Sequence, residues 1–344
     1  MSKSKVQCPR CFSENLYKYG FDKYGNQKYQ CKECKRQFAP ETLEFTKPKQ
    51  RKYPSCPKCG KATFLHHDYK YYSNLRCSDK SCNHSFFVPK DKDIDPPSCE
   101  IDLPGKFNFK GMRYSPYVIL MALYFYFLHQ ASTREVSQFL RDFHNIEVSH
   151  VTIASWTKKF APMFKLKANN LKPNKLNHSN QWHADETVVK LNGQKYYLWA
   201  AIDSKTKYIL SFHLDPHRNS QAAFRLFNDL NEKYDNPELI VSDRYWSYLA
   251  PIKVLFPDSN HIRVESFEDN INNNVIESFF GTFKDWYNKR KGFKSYESAN
   301  QLITMFIFFY NYIKPHSDLD GLTPAQKAGI KYSDKQRKSW LLAA

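Results

Sequence analysis

The sequence predicts a multidomain chain: two small β units at the front, an all-α segment in the middle, and an α/β domain with a mixed five-stranded sheet and flanking helices behind. Three observations predict it. Eight of the nine cysteines fall within residues 8–82 as four close pairs. Helical periodicity sets in near Ser115. From about residue 180 the apolar period shifts to that of strands, which then alternate with helices. The chain has 344 residues, 41% hydrophobic and 16% aromatic, enough for two or three units with packed cores.

The bulk properties narrow the partners. A formal net charge of +18 predicts a polyanion, nucleic acid before anionic membrane. The longest apolar runs, 117–128 and 303–309, fall short of the roughly 20 residues of a membrane span. The opening MSKSKVQCPR has no apolar signal core. A cytoplasmic protein with no membrane partner is the expectation.

Cys8, Cys11, Cys31 and Cys34 form one quartet; Cys56, Cys59, Cys77 and Cys82 form a second. A tight Cys-x-x-Cys turn lets two thiolates face one centre, and two such turns complete a tetrahedron. Four thiolates suit Zn²⁺ and leave no position open, so two structural Zn²⁺ are expected. Segments of about 40 residues cannot hold a fold by burial alone, and metal binding supplies the missing stability. The spacer KYGFDKYGNQKYQ places Gly-Asn at a hairpin turn, so residues 1–45 and 53–90 each read as a β zinc ribbon. The last pair of the second quartet is wider, and His66, His67 or His84 could replace a ligand there. Cys99 is left over as a free thiol. Residues 1–110 hold 22 Lys and Arg against 12 Asp and Glu, over half the net charge. Lys32, Lys35 and Arg36 flank a knuckle and KPKQRK (47–52) links the ribbons. Phosphate contact is one reading of these groups; solvated lysines are the other.

A Pro- and Asp-rich linker (89–105) leads into residues 111–165, read as a helix-turn-helix that binds DNA. Ser132 and Glu135 form a capping box, and Val136, Phe139 and Leu140 an apolar stripe. After the short turn HNIEV, Ser149 caps a second helix. Its phase turns Ile153, Trp156 and Phe160 inward, and Thr152, Ser155, Lys158 and Lys159 outward toward DNA. His150 falls nearer the packed side. Plain helical bundles contain similar pairs, so that alternative stands beside this one.

A second linker (167–180) precedes the α/β domain, 180–315, with a tail over 316–344. QWHADETVVKL, KYYLWAAID and KYILSFHL are strands at hairpin spacing. An amphipathic helix follows, SQAAFRLFNDLNEKY, then the apolar strand PELIVSD, suited to the middle of a sheet. A helix (about 245–256), a short strand near HIRVE, and helices over 272–284 and 295–312 complete the order. Asp185 lies within the first strand and Asp243 ends the fourth, where sites form in open α/β sheets. Two buried carboxylates repel, and a divalent cation between them relieves both burial and repulsion. In NNNVIESFFGTFK, helical phase sets Val275, Ile276, Phe279, Phe280, Phe283 and Trp286 on the buried face. Glu277 lies opposite, in line with Asn273, Gly281 and Lys284, the lysine placed to hold a DNA phosphate. Glu186 should point to the other sheet face. Asp203 reads as a turn-former at the end of an edge-side strand, Asp285 as paired with solvent or a lysine, and His183 and His213 as structural.

Asp185 in HADET, Asp243 in VSDRYWSY and Glu277 in VIESFFGTFK have fifty-seven and thirty-three residues between them. This resembles the Asp-Asp-Glu triad of the DDE transposases of insertion sequences, which share the ribonuclease-H-like fold of retroviral integrases. YNYIKPHSDLDGLTPAQKAG (310–329) resembles the tail motif of integrase-type transposases. STREVSQFL with VSHVTIASWTKKFAP resembles the helix-turn-helix before their core. The first ribbon is similar to those of other insertion-sequence proteins, while two ribbons in tandem depart from the common layouts. The resemblance implies that Asp185, Asp243 and Glu277 hold two Mg²⁺ (or Mn²⁺) and that Lys284 sits by a phosphate. It implies cleavage and strand transfer of double-stranded DNA at terminal inverted repeats, by a homodimer or higher multimer at the nucleoid. His316 would lie near DNA by the same analogy. Two other functions stand beside this: a catalytically silent, transposase-derived DNA-binding regulator, and a nuclease of the same fold such as a junction resolvase. An idle triad has no evident reason to remain, and resolvases in general lack this N-terminal equipment.

Overall fold

The computed structural model describes residues 6–40, 52–97, 109–171, 179–264 and 272–340. Cys99 and most of the three expected linkers lie outside them. The described residues fall into two compact units, one within 1–67 and 75–86, the other within 68–74 and 87–344.

The first unit is built on hairpins. Strands β1 (Leu16–Phe21), β2 (Gln27–Cys31) and β3 (Gln37–Phe38) pair antiparallel in that order. The β1–β2 turn uses the expected Gly-Asn pair: Gly25 takes φ +85°, which L side chains rarely adopt. The Asp22 carboxylate accepts from the backbone N–H groups of Tyr24 and Asn26. The apolar core around Cys8, Cys31 and Phe38 is very small. A second three-stranded sheet comprises β4 (Thr63–Asp68), β5 (Tyr72–Cys77) and β6 (Ser85–Pro89). Residues 68–74, expected inside the second ribbon, belong to the larger unit, where Tyr71 and Tyr72 pack on Phe224 and Ala250.

The larger unit opens with helices α1 (Pro116–Leu128), α2 (Thr133–His144), α3 (His150–Lys159) and α4 (Ala161–Leu171). The α2 start is the capping box read from the sequence, with Ser132 and Glu135 satisfying each other's backbone N–H. Ser149 caps α3, which buries Ile153, Trp156 and Thr157. His150, expected nearer the packed side, is exposed. It is the first residue of α3, before the helix meets the core.

Five strands follow: β7 (Gln181–Leu191), β8 (Gln194–Asp203), β9 (Ile209–Asp215), β10 (Leu239–Asp243) and β11 (Asn260–Val264). Their order is β11-β10-β7-β8-β9; β7, β8 and β9 are antiparallel, and β10 runs parallel to β7 and β11. Helix α5 (Ser220–Lys233) joins β9 to β10, and a 3-10 turn (Trp246–Tyr248) with α6 (Leu249–Leu255) joins β10 to β11. Helices α7 (Asn274–Asn288) and α8 (Tyr296–Phe308) follow, then a π-helical turn (Phe309–Ile313) where one continuous helix was expected. The mixed five-stranded sheet with flanking helices matches the expectation. One detail is corrected: β8 lies inside the sheet, because β9 takes the edge. Asp203 is still a turn-former. Buried, it accepts from the Thr206 N–H and hydroxyl and from Ser179.

One apolar core runs from Val118 to Trp340. Phe127 stacks on Trp286 and Phe309, and Phe164 packs on Phe308 and Trp340. The segments 111–165, 180–315 and 316–344 therefore share it. Among the described residues, no helix is long and apolar enough to cross a membrane.

Candidate metal centres

Sheet register sets the first two acids side by side. In the parallel pair β7–β10, Trp182 lies opposite Ile240 and His183 opposite Val241. The pairing ends there; two residues further along each strand come Asp185 and Asp243, on the His183 face by alternation, with ligand oxygens within 4.8 Å of each other. His183 Nδ1 meets Asn273 Oδ1 at 3.2 Å, tying β7 to the N-terminus of α7. Glu277 is exposed in the first turn of α7. The helix is held there by its apolar face: Ile276, Phe279, Phe280, Phe283 and Trp286 are buried.

The electrostatics of Asp185 report the crowding. Burial first, then the negative charges of Glu186, Asp243 and Glu277, push its carboxyl well above the ordinary carboxylate value. Glu277 adds the smallest of these charges, and its oxygens lie outside the close acidic group. The tightest group is different: ligand oxygens of Asp185, Glu186 and Asp243 all lie within 4.8 Å of one another. The expectation that Glu186 stands apart is therefore corrected. Its side chain leaves β7 on the other face, but there β7 is paired only with β8, and the side where β10 ends at Asp243 is open.

Residues that the sequence reading passed over surround Glu186. Arg218 Nε donates to Glu186 Oε1, and Arg218 Nη2 lies 3.1 Å from Asp243 Oδ2. The Tyr248 hydroxyl donates to Glu186 Oε2. Burial, then the charges of Glu186 and Asp185, raises the Tyr248 phenol well above its ordinary value, so it remains a donor. The Tyr245 N–H donates to Asp243 Oδ1 at 2.9 Å. No motif marks Arg218 in DPHRNSQ; the only usable signal is its place after β9, at the end of the sheet where β10 also stops.

Lys284 is expected at a phosphate, yet its ammonium donates to the Val188 carbonyl of β7 and lies 5.6 Å from the Tyr287 ring. Burial lowers its pKa. The reason is that α7 packs along β7, and a lysine two turns from Glu277 reaches the strand. Gly281, between them, is exposed, and nothing would lie within 4 Å of a Cβ there. His183 and His213 are both buried, with pKa values lowered by that burial. His213 pairs with Asp215, which also binds Arg225. Asp285 adds a favourable charge to Lys314. His316 sits edge-on to Tyr310, and burial lowers its pKa to about 4.

On α3, Ser155 and Lys159 are exposed, Thr152 and Lys158 half-buried. Thr152 Oγ1 lies 2.9 Å from Ser149 Oγ, and the Ser155 hydroxyl donates to the Thr152 carbonyl at 2.7 Å. The Lys159 ammonium is 3.5 Å from the Met112 sulfur.

Each cysteine quartet brings four sulfurs within 4.8 Å of one another. The S–S distances include 3.5 Å for Cys8–Cys34 and Cys11–Cys31, and 3.9 and 3.5 Å for Cys56–Cys82 and Cys59–Cys77. Four thiolates about 2.3 Å from one Zn²⁺ would be about 3.8 Å apart, so both sets fit the ion. The turns are alike. Phe12, Lys35 and Gly60, each four residues after a cysteine, take positive φ and return their N–H to the carbonyl of Cys8, Cys31 or Cys56. In the wider fourth turn Asn83 takes positive φ and returns its N–H to the Asp79 carbonyl instead, and the Asp79 side chain fills the longer loop by accepting from Ser81. No histidine is needed. His66 and His67 contact each other, and His84 offers its backbone carbonyl to Cys77 N–H. The acidic group fits hard divalent cations, since it gathers carboxylate oxygens whose repulsion a cation would relieve.

Residues 179–316 match a family model described as a DDE domain. Among curated proteins, the chain is 26% identical over 136 residues to the transposase for insertion sequence-like element IS431mec of Staphylococcus aureus, covering 40% of this chain and 58% of that protein. It is 25% identical over 158 residues to the putative transposase InsK for insertion sequence element IS150 of Escherichia coli, covering 45% and 56%. The chain thus spans just over half the length of these relatives. Among solved structures it is similar to the HTLV-2 integrase catalytic core domain in complex with magnesium, at 16% identity, 46% and 99% coverage and a TM-score of 0.34. The catalytic core domain of BIV integrase gives 16%, 44% and 93%, and 0.35. On the family match and the named relatives, this chain carries a DDE transposase domain in residues 179–316.

Proposed function

We propose that the protein is the transposase of an insertion sequence, binding the terminal inverted repeats of its element and moving their strands into target DNA. The observation that supports this best is the gathering of Asp185 and Asp243 carboxylate oxygens within 4.8 Å at the end of β10, beside a helix that carries Glu277 and is fixed by its apolar face. Asp185, Asp243 and Glu277 would hold two Mg²⁺ or Mn²⁺. When bound, such a pair lowers the pKa of an attacking water or 3′-hydroxyl and stabilises the departing 3′-oxygen.

The chain's own residues do the rest. Asp185 must give up its proton for a cation to bind, so metal and proton compete at that carboxyl. Glu277, exposed on α7, closes the group from the side open to DNA. The notch at Gly281 lets a DNA backbone approach that face, and Lys284 meets a phosphate there once its ammonium leaves the Val188 carbonyl. Helices α2 and α3 form the helix-turn-helix, with Ser155 and Lys159 as exposed contacts and Thr152 and Lys158 beside them. The two quartets are zinc ribbons whose lysines add phosphate contacts. Holding two element ends together calls for at least a dimer.

The test is purified full-length protein with Mg²⁺ on DNA carrying the terminal repeats. Nicked ends and joined products are expected, and Asp243→Asn should bind the ends without cutting. Binding without cleavage or joining by the unmutated chain would overturn the enzyme and favour a regulator.

A further inference from the structure

We infer that Arg218 is a positioning residue: anchored by Glu186, its guanidinium fixes the Asp243 carboxylate for metal binding, and Glu186 is itself no ligand. This rests on the function proposed above and extends it to residues outside the triad.

Arg218 is held at every point along its length. Its backbone carbonyl accepts from the Tyr245 hydroxyl at 3.0 Å. Its guanidinium lies 3.9 Å from the centre of the Tyr245 ring. One nitrogen engages Glu186 and another Asp243. A planar fork can hold two carboxylates at once; a lysine ammonium lacks that geometry.

The rival reading takes Glu186 as a further ligand, since its oxygen lies within 4.8 Å of the other two. The contacts favour the anchor. Each carboxylate accepts one donor per oxygen, Glu186 from Arg218 and Tyr248, Asp243 from Tyr245 on Oδ1 and Arg218 on Oδ2. Exposure tells them apart. Only 2% of the Glu186 side chain is exposed, so it meets its donors inside the protein. Asp243 is 36% exposed, so a hard cation that keeps water and substrate oxygens can reach it from solvent. Each Asp243 oxygen has two lone pairs, so one remains on each for that cation. The two donors orient the carboxylate without consuming it. Groups that orient metal ligands typically change affinity or activity 10–100-fold when removed.

The experiment counts ions as well as products. The zinc-loaded full-length chain is titrated with Mn²⁺, bound ions are counted by electron paramagnetic resonance, and cleavage of terminal-repeat DNA is timed. Glu186→Gln should keep the wild-type number of Mn²⁺, bind them about 10–100-fold more weakly and slow cleavage by a similar factor, while circular dichroism shows a folded chain. Asp185→Asn should lower the number itself. Arg218→Lys should not restore affinity, and Glu186→Gln with Arg218→Met together should cost no more than the worse single change, because both act through Asp243. A Glu186→Gln chain that loses an ion as Asp185→Asn does would make Glu186 a ligand and overturn the inference. Wild-type affinity and cleavage in both single variants would overturn it as well. An unmutated chain that binds two Mn²⁺ and cuts DNA leaves the proposed function standing in either case; one that binds none removes that function and this inference with it.

Discussion

The cysteine quartets and the acidic group gather ligands by opposite means. In the quartets the backbone does the work: left-handed residues at Phe12, Lys35, Gly60 and Asn83 close each turn, and little apolar core lies around them. The close acids, Asp185, Glu186 and Asp243, come from β7 and β10, with Glu277 of α7 outside that group, and a large core holds these elements while the charges resist. As proposed zinc sites, the quartets would gain their stability from the ion they bind. The acidic group is held by a large apolar core against repulsion, so its fold should outlast the ion's removal.

Stripping zinc is the largest way to break this contrast. Structural zinc contributes on the order of 10 kcal/mol or more to small domains. A strong chelator should therefore open the first unit to protease while the helices and strands of the larger unit stay protected. Equal protection of both units after chelation would mean that the quartets do not hold the fold. Loss of both together would mean that the larger unit depends on zinc as well.

Asp185→Asn probes the other side. Cleavage should fall by more than about 1,000-fold, or roughly 4 kcal/mol of transition-state stabilisation. Stability should move the opposite way. The folded pKa of Asp185 is raised, so the folded chain holds a proton that the unfolded chain releases above the ordinary carboxylate value. The contribution of this group is thus fully present below that value and declines as pH rises through the folded one. Asparagine has no such slope. Without added divalent cation, the melting temperature of Asp185→Asn should exceed wild type by a margin that widens between pH 5 and 8. A margin that narrows would contradict the burial of this carboxyl.

The same contrast explains what the sequence made legible. The quartets are local, and the Cys-x-x-Cys spacing states them outright. The triad is long-range, but each acid carries a local mark: Asp185 in a strand, Asp243 at the end of an apolar strand, Glu277 opposite an apolar helix face. Alternation along β7 wrongly set Glu186 apart, because that rule holds within a sheet and Asp243 stands where β10 stops. Arg218, Tyr245 and Tyr248 were illegible for a related reason: they come from two connections, after β9 and after β10, and only the assembled sheet brings them together. Lys284 was placed on the right helix face, yet phase alone could not show that this face lies within reach of the Val188 carbonyl.

The smallest test uses one substitution twice. Gly60, in the second quartet, and Gly281, on α7 by the acids, both have no atom within 4 Å of where a Cβ would stand. Space therefore predicts the same result for alanine at each. The backbone predicts opposite signs. Gly60 sits at φ +69°, where a Cβ crowds its own peptide, so Gly60→Ala should destabilise the first unit by about 1–2 kcal/mol. Gly281 has helical backbone, so Gly281→Ala should stabilise α7 by about 1 kcal/mol, a shift of about 2–4 °C in the melting temperature of a unit of this size. If the notch at Gly281 receives DNA, that more stable variant should also bind terminal-repeat DNA less tightly, and Gly281→Leu less tightly again. Unchanged binding in both would leave the glycine without a role at the DNA face. A destabilised Gly281→Ala would mean that α7 meets more in the free protein than open space.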